Sequence, residues 1–333
     1  MLFLCSFLLF STSLAAVYDD VSSLPQKNCD FVIIGGGTSG LVVTNRLSED
    51  PRVSVLVLEA GLSNWNVLNS EVPFLTPRLW GSQYDCNYTT VPQPGLNNCS
   101  VTYGRGKLLG GSSSINSMAY TRGSDDDWNK YAGITGDPGW SWEGIQLYIR
   151  KARHLLSNPS RFDPRYDPAF HSDAGPLQVS LTSYFWPSTH RVIQTTEELP
   201  SEFPYNLDVN CGDPSGIAWI QATIGNGTRS SAATAYLNDD FAAQPNLCVL
   251  IHAHATEVNR VTRLTSNNRE FGQPVFDSVE FASSADGSGY NVTARRRSSL
   301  PRVPSTHLSY FCNPGGTMVP LVSTPPIPSR LHS

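Results

Sequence analysis

The sequence is poor in charge. Lys, Arg, Asp and Glu make up only 15% of its 333 residues, and 28 acidic against 23 basic side chains leave a net charge of −5. A surface that tracks a nucleic-acid backbone needs a clustered basic excess, so a nucleic-acid partner is excluded. So few charges, set among 26 Gly and 24 Pro, also exclude a coiled coil and a disordered acidic tail. No stretch approaches the ~20 consecutive apolar residues that span a bilayer, so no membrane span is expected. The seven Cys show neither Cys-x-x-Cys nor the Cys/His spacing of a metal site. No Gly-x-Ser-x-Gly elbow is present. What remains is a loop-rich globular chain, 40% hydrophobic, with length enough for two domains.

The N-terminus carries an address. Residues 2–10 (LFLCSFLLF) are apolar and lead into small residues ending at Ala16. This pattern fits a secretory signal peptide over residues 1–16, cleaved after Ala15 or Ala16; a buried strand is the alternative. A secreted, extracellular protein is therefore expected. Four sequons, at Asn87, Asn98, Asn226 and Asn291, agree with glycosylation. Cys86 and Cys99 flank a turn-rich segment and are candidates to pair in an oxidising compartment, with buried thiols as the alternative.

The segment Asp30–Ile34 is a continuous apolar run, as a strand buried on both faces requires. Gly35-Gly-Gly37-Thr38-Ser39-Gly40 follows at once, then a helix-spaced stretch to Leu47 that Pro51 ends. A second strand, Val53–Glu59, closes with an acid 19 residues past Gly40. This is a dinucleotide-binding βαβ unit. Gly35 permits the turn, Gly37 lets the backbone approach a pyrophosphate, and Gly40 lets helix and strand pack. The helix N-terminus favours the anion. Glu59 suits a ribose diol and repels a 2′-phosphate, which favours FAD or NAD over NADP.

A second glycine-rich segment, GRGKLLGGSSSINSMAYTRGSDDDWN, occupies residues 104–129. Its small residues and free amides suit a phosphate or a flat ring. Here the chain resembles the glucose-methanol-choline (GMC) oxidoreductases, FAD enzymes whose first signature is matched by Gly106–Asn116 with Tyr120, Gly123 and Asn129. Within the family it is most similar to fungal aryl-alcohol oxidases, through residues 49–61, 85–95, 131–142 and 224–237. The resemblance spans roughly residues 28–295 and implies specific roles. Gly35, Gly37, Thr38, Ser39 and Gly40 would hold the FAD pyrophosphate, and Glu59 and Ala60 the adenosine ribose. Leu109, Gly110, Gly111 and Ser113 would lie along pyrophosphate and flavin. Asn116, Ser117, Met118 and Ala119 would border the isoalloxazine. Ala255, on a strand expected over Leu250–Thr256, would meet adenine through its backbone. Asn116-Ser117 stands where many aryl-alcohol oxidases carry His-Tyr, so an aromatic gate over the flavin is missing.

The resemblance implies an α/β fold: a Rossmann-like FAD-binding domain (28–152 and 216–295) with an inserted, incomplete α+β substrate domain that starts over 153–215. The implied activity is oxidation of a primary, aryl alcohol, a small-molecule substrate, with O2 as acceptor; a GMC dehydrogenase or sugar oxidase is the alternative within the family. A non-catalytic FAD-binding fragment is the alternative from another class. In the family a histidine takes the hydroxyl proton. It lies in the C-terminal half, and no residue here matches it, so no catalytic residue is assigned. From residue 296 the sequence turns to Arg, Ser and Pro without strand or helix period. This tail reads as the product of a frameshift or retained intron, or as a disordered linker. His252 and His254 would share a strand face, but no third ligand is near and no metal is expected. Asp125-Asp126-Asp127 reads as a helix start.

Overall fold

The structure, a computed structural model, describes residues 17–156, 165–261, 275–283, 287 and 289–295, with two short backbone strands, Phe311–Cys312 and Met318–Val319. The expected signal peptide lies outside the described residues, as does nearly all of the tail from 296. No described helix is long and apolar enough to cross a membrane. The chain forms two compact units, Met1–Leu62 with Leu237–Ser333, and Ser63–Tyr236.

The first unit holds a four-stranded parallel sheet in the order Val17–Tyr18, Leu247–Leu250, Val55–Leu58, Phe31–Ile34. Its two inner strands, VLVL and LCVL, are buried at every residue, as strands covered on both faces must be. Helix Thr38–Ser48 makes the crossover between Phe31–Ile34 and Val55–Leu58. It turns Leu41 and Thr44 inward, both fully buried. Its end is tied down by the Asn246 amide nitrogen, 2.9–3.2 Å from the carbonyls of Ser48, Asp50 and Val53.

A second sheet of this unit runs His254–Val261, Val275–Ala282, Tyr290–Ala294, Asn28–Cys29. The first three strands are antiparallel, and the last adds in parallel. Leu56, Leu58, Cys248 and Leu250 pack with Cys29, Val279, Phe281 and Val292 in one apolar cluster. Each large aliphatic side chain buried there contributes roughly 1.5–3 kcal/mol. The continuous strand expected over Leu250–Thr256 is instead two strands in two sheets. The chain leaves the first sheet at Leu250, turns through His252 at φ 55°, and enters the second at His254. Tertiary bonds impose the turn: the His252 amide donates to Gly61 and the Ala253 amide to Glu59. His252 and His254 therefore share no strand face.

The second unit holds a sheet in the order Ala119–Tyr120, Gln221–Ala222, Leu177–Leu181, Arg153–Leu155. Helices Asp125–Thr135 and Trp142–Ala152 precede its last-ranked strand. The first starts at the three aspartates, as read from the sequence, behind a Ser124 capping box. A hairpin pairs Tyr88–Thr89 with Thr102–Tyr103. In its register Cys86 bonds across to Arg105, while Cys99 lies opposite Gln93. The two cysteines thus sit on distant rungs, and among the described residues no disulfide joins them.

Candidate functional site

In the first unit the two strands of the βαβ unit end side by side, Ile34 beside Leu58, and the glycine loop follows Ile34. The Gly35 amide donates to Leu58 at 2.8 Å, and Gly35 then takes φ 91°, a conformation that glycine adopts without strain. Gly40 is sterically obligatory, because a Cβ there would fall 2.0 Å from the Gly35 carbonyl oxygen. Gly37 caps helix Thr38–Ser48 with no side-chain hydrogen bond. The helix start therefore presents backbone amides and the positive end of its dipole to an anion. Thr38 and Ser39 are exposed at this start.

Glu59 is only 7% exposed. Its Oε2 accepts from the Gly36 amide and its Oε1 from the Gly61 amide, both at 2.7 Å. A carboxylate is an acceptor-only group, the chemistry that a ribose diol requires. Ala60 is half-buried beside it, and Ala255 is buried at the start of its strand, opposite Phe281. The sequence-read residues of this unit thus gather around the carboxyl ends of parallel strands, where ligands of open α/β sheets bind. A loop closed so tightly that no Cβ fits at residue 40 suits a dinucleotide pyrophosphate.

In the second unit Gly106–Ala119 folds back on itself. A Cβ at Gly106 would fall 2.2 Å from the Gly111 carbonyl oxygen, and one at Gly110 2.3 Å from Ser114 Oγ. Leu109, Gly110 and Gly111 are buried, whereas Asn116, Ser117 and Ala119 are exposed. Met118 is buried at φ 64°, held by the Thr223 amide at 2.8 Å from its carbonyl. The Ser113 hydroxyl donates to Gly110 and accepts from the Ala232 amide, which fastens the loop to helix Ala232–Tyr236.

Sequence reading missed the residue that organises this segment. Arg229, 4% exposed, donates to the carbonyls of Ser70, Ser113 and Asn116, to Asn116 Oδ1 and to Thr76 Oγ1, at 2.5–3.1 Å. Every acceptor is neutral. Burial pushes its guanidinium down to about 10, which leaves it charged at neutral pH. Its partners lie 113–159 residues earlier, so no local pattern announces them.

A second buried polar cluster was also missed. The Asp208 carboxylate meets His171 Nε2 and accepts from the Asn210 amide at 2.9 Å and Gln221 Nε2 at 3.0 Å. Arg153, 1% exposed, lies 5.0 Å from the centre of the Tyr120 ring, and burial pushes its guanidinium down to about 10.

Comparison with known proteins places these geometries in context. The sequence model of the GMC oxidoreductases matches residues 29–273. Pyranose dehydrogenase 3 of Leucoagaricus meleagris is 44% identical over 288 residues, 85% of this chain and 46% of that protein. A pyranose dehydrogenase of Agaricus xanthodermus is 42% identical over 80% of this chain and 43% of its own length. The chain thus spans about half the length of these relatives. An FAD-dependent oxidoreductase from Chaetomium thermophilum superposes with a TM-score of 0.69 at 30% identity, over 80% of this chain and 44% of that one. A fungal aryl-alcohol oxidase superposes at 0.64 with 24% identity, over 81% of this chain and 45% of that one, which speaks to fold alone.

Proposed function

Because this chain belongs to the GMC oxidoreductase family, we propose that it is the FAD-holding part of an enzyme that oxidises a CH–OH group of a pyranose sugar. FAD is the cofactor that membership brings, and the fold is the family's Rossmann-like α/β fold. When bound, FAD supplies the two-electron acceptor. The chain's own residues do the holding. The Gly35–Gly40 turn and the start of helix Thr38–Ser48 take the pyrophosphate, and Glu59 with Ala60 the ribose. Ala255 meets adenine through its backbone. Leu109, Gly110, Gly111 and Ser113 lie along pyrophosphate and flavin, and Asn116–Ala119, exposed at Asn116, Ser117 and Ala119, borders the isoalloxazine.

The observation that carries the cofactor reading is the Gly40 cradle, closed by Glu59 through the Gly36 amide. The sugar reading is favoured by the two pyranose dehydrogenases at 44% and 42% identity. Their names also favour an acceptor other than O2. The second reading, oxidation of an aryl alcohol by O2, is supported by the sequence stretches named above and opposed by Asn116-Ser117. Secretion is supported by the N-terminal pattern and by four sequon asparagines that are all exposed.

The test is to purify the chain and identify its chromophore. The expected result is stoichiometric FAD; in a chain completed with the C-terminal half of a pyranose dehydrogenase, that FAD is reduced by D-glucose but not by benzyl alcohol. Bound nicotinamide in place of flavin overturns the cofactor reading. Peroxide formed from benzyl alcohol and O2 overturns the sugar reading in favour of the second.

A further inference from the structure

Among the described residues, Arg229 is a cation without a counter-ion. It is 4% exposed, yet among the described residues no carboxylate forms an ion pair with it. Its donors end on three carbonyls, one amide oxygen and one hydroxyl. Burying a charge unpaired is expensive, and an apolar residue of similar volume is often the more stable choice. A guanidinium here costs stability that hydrogen bonds to neutral oxygens offset in part. Two of those oxygens belong to Asn116, each 2.8 Å from Nη1. The charge therefore stands directly behind the stretch Asn116–Ala119.

We propose that Arg229 raises the reduction potential of the flavin through its uncompensated positive charge. The inference rests on the reading that Asn116–Ala119 borders the isoalloxazine. On taking up two electrons and one proton, an isoalloxazine ring gains one negative charge. A buried, unneutralised cation close by favours that charged form, and low local polarity strengthens the effect. Among the described residues Arg229 hydrogen-bonds to protein oxygens, so it acts as a positioning and electrostatic residue. Its fork holds Asn116, and its charge reaches past it.

The experiment uses the full chain loaded with FAD, with midpoint potentials read by dye equilibration. Three variants separate charge from scaffolding. Arg229→Gln removes the charge and keeps a donor; Arg229→Lys keeps the charge and loses the fork. Thr76→Asp leaves Arg229 in place and supplies the missing counter-ion at Nη2. Gln and Asp are expected to disfavour the reduced form at least tenfold, ~30 mV for a two-electron couple. Lys is expected to stay within threefold of the native protein. A purely structural Arg229 would give equal shifts for Gln and Lys and none for Thr76→Asp, which overturns the proposal. If Arg229→Gln fails to fold, an unshifted potential in Thr76→Asp overturns it alone. A native chain that binds no FAD overturns the reading of Asn116 and the proposal with it, and is told apart by its missing absorbance.

Discussion

Glu59 accepts a 2.7 Å hydrogen bond from the backbone amide of Gly36. The acid that closes the second strand is thereby tied to the loop that leaves the first. One side chain fixes the loop's shape and holds its own carboxylate rigid.

Glu59→Gln tests that tie. The carboxamide puts an NH2 against one of two amide donors, at Gly36 or Gly61. A buried donor left unsatisfied costs about 1–3 kcal/mol. The expected outcome is a lower melting temperature and at least a tenfold loss in FAD retention, read by calorimetry and by flavin absorbance after gel filtration. Unchanged values for both would show that the carboxylate is dispensable.

Two glycines should behave oppositely. At Gly40 an added methyl meets the Gly35 carbonyl at 2.0 Å, so Gly40→Ala must push the loop and helix apart. At Gly133, inside helix Asp125–Thr135, an added methyl meets nothing within 4 Å. Gly133→Ala is expected to stabilise by about 0.5–1 kcal/mol through helix propensity. Urea midpoints of the two variants check the contrast.

The core thiols predict an alkaline weakness. Burial, with Cys248 beside it, raises the Cys29 thiol from 9.0 to about 11, and burial raises Cys248 as well. A raised folded-state pKa means that the folded form holds its proton longer. Stability is full below the unfolded value and falls as pH rises from 9 through about 11. The loss amounts to about 2–3 kcal/mol. Melting curves across that window should drop more steeply for the native chain than for Cys29→Ala. Parallel curves would remove Cys29 as the cause.

Asp208 is the hub of a buried network, with His171, Gln221 and two backbone amides on one carboxylate. Asp208→Ala leaves those donors buried without an acceptor and should cost about 3–5 kcal/mol. Equilibrium unfolding in urea, at constant slope, measures it. A loss below 1 kcal/mol would mean that the network rearranges around the gap.

Asn87, Asn98, Asn226 and Asn291 are exposed. Expression through a eukaryotic secretory route should add glycans that an amidase removes, with a mass step for each occupied site. A single Asn→Gln change at each position should delete one step. A chain retained in the cell without glycans would count against secretion.

What was legible in the sequence was local. Phe31–Ile34, Gly35–Gly40, helix Thr38–Ser48 and Val55–Leu58 follow within 28 residues, and each carries its own signal. The three aspartates at 125–127 announced their helix for the same reason. Three things were not legible. The break at His252 is set by carbonyls of Glu59 and Gly61, far upstream. The separation of Cys86 from Cys99 depends on hairpin register, which composition does not encode. Arg229 stands among small residues as though alone, and its meaning lies in oxygens of Ser70, Thr76, Ser113 and Asn116.

The order of the parallel sheet also sets a clock. Strand Leu247–Leu250 lies between Val17–Tyr18 and Val55–Leu58, so the βαβ unit has no completed sheet until residue 250 has been synthesised. At ~5–20 residues per second, a ribosome needs roughly 10–40 s to travel from Leu58 to Leu250. For that interval Val55–Leu58 presents an apolar edge with no neighbour on one side. The residues 63–236 made meanwhile form a unit of their own. Synthesis therefore completes the residues of the inserted unit before it completes those of the unit that began first.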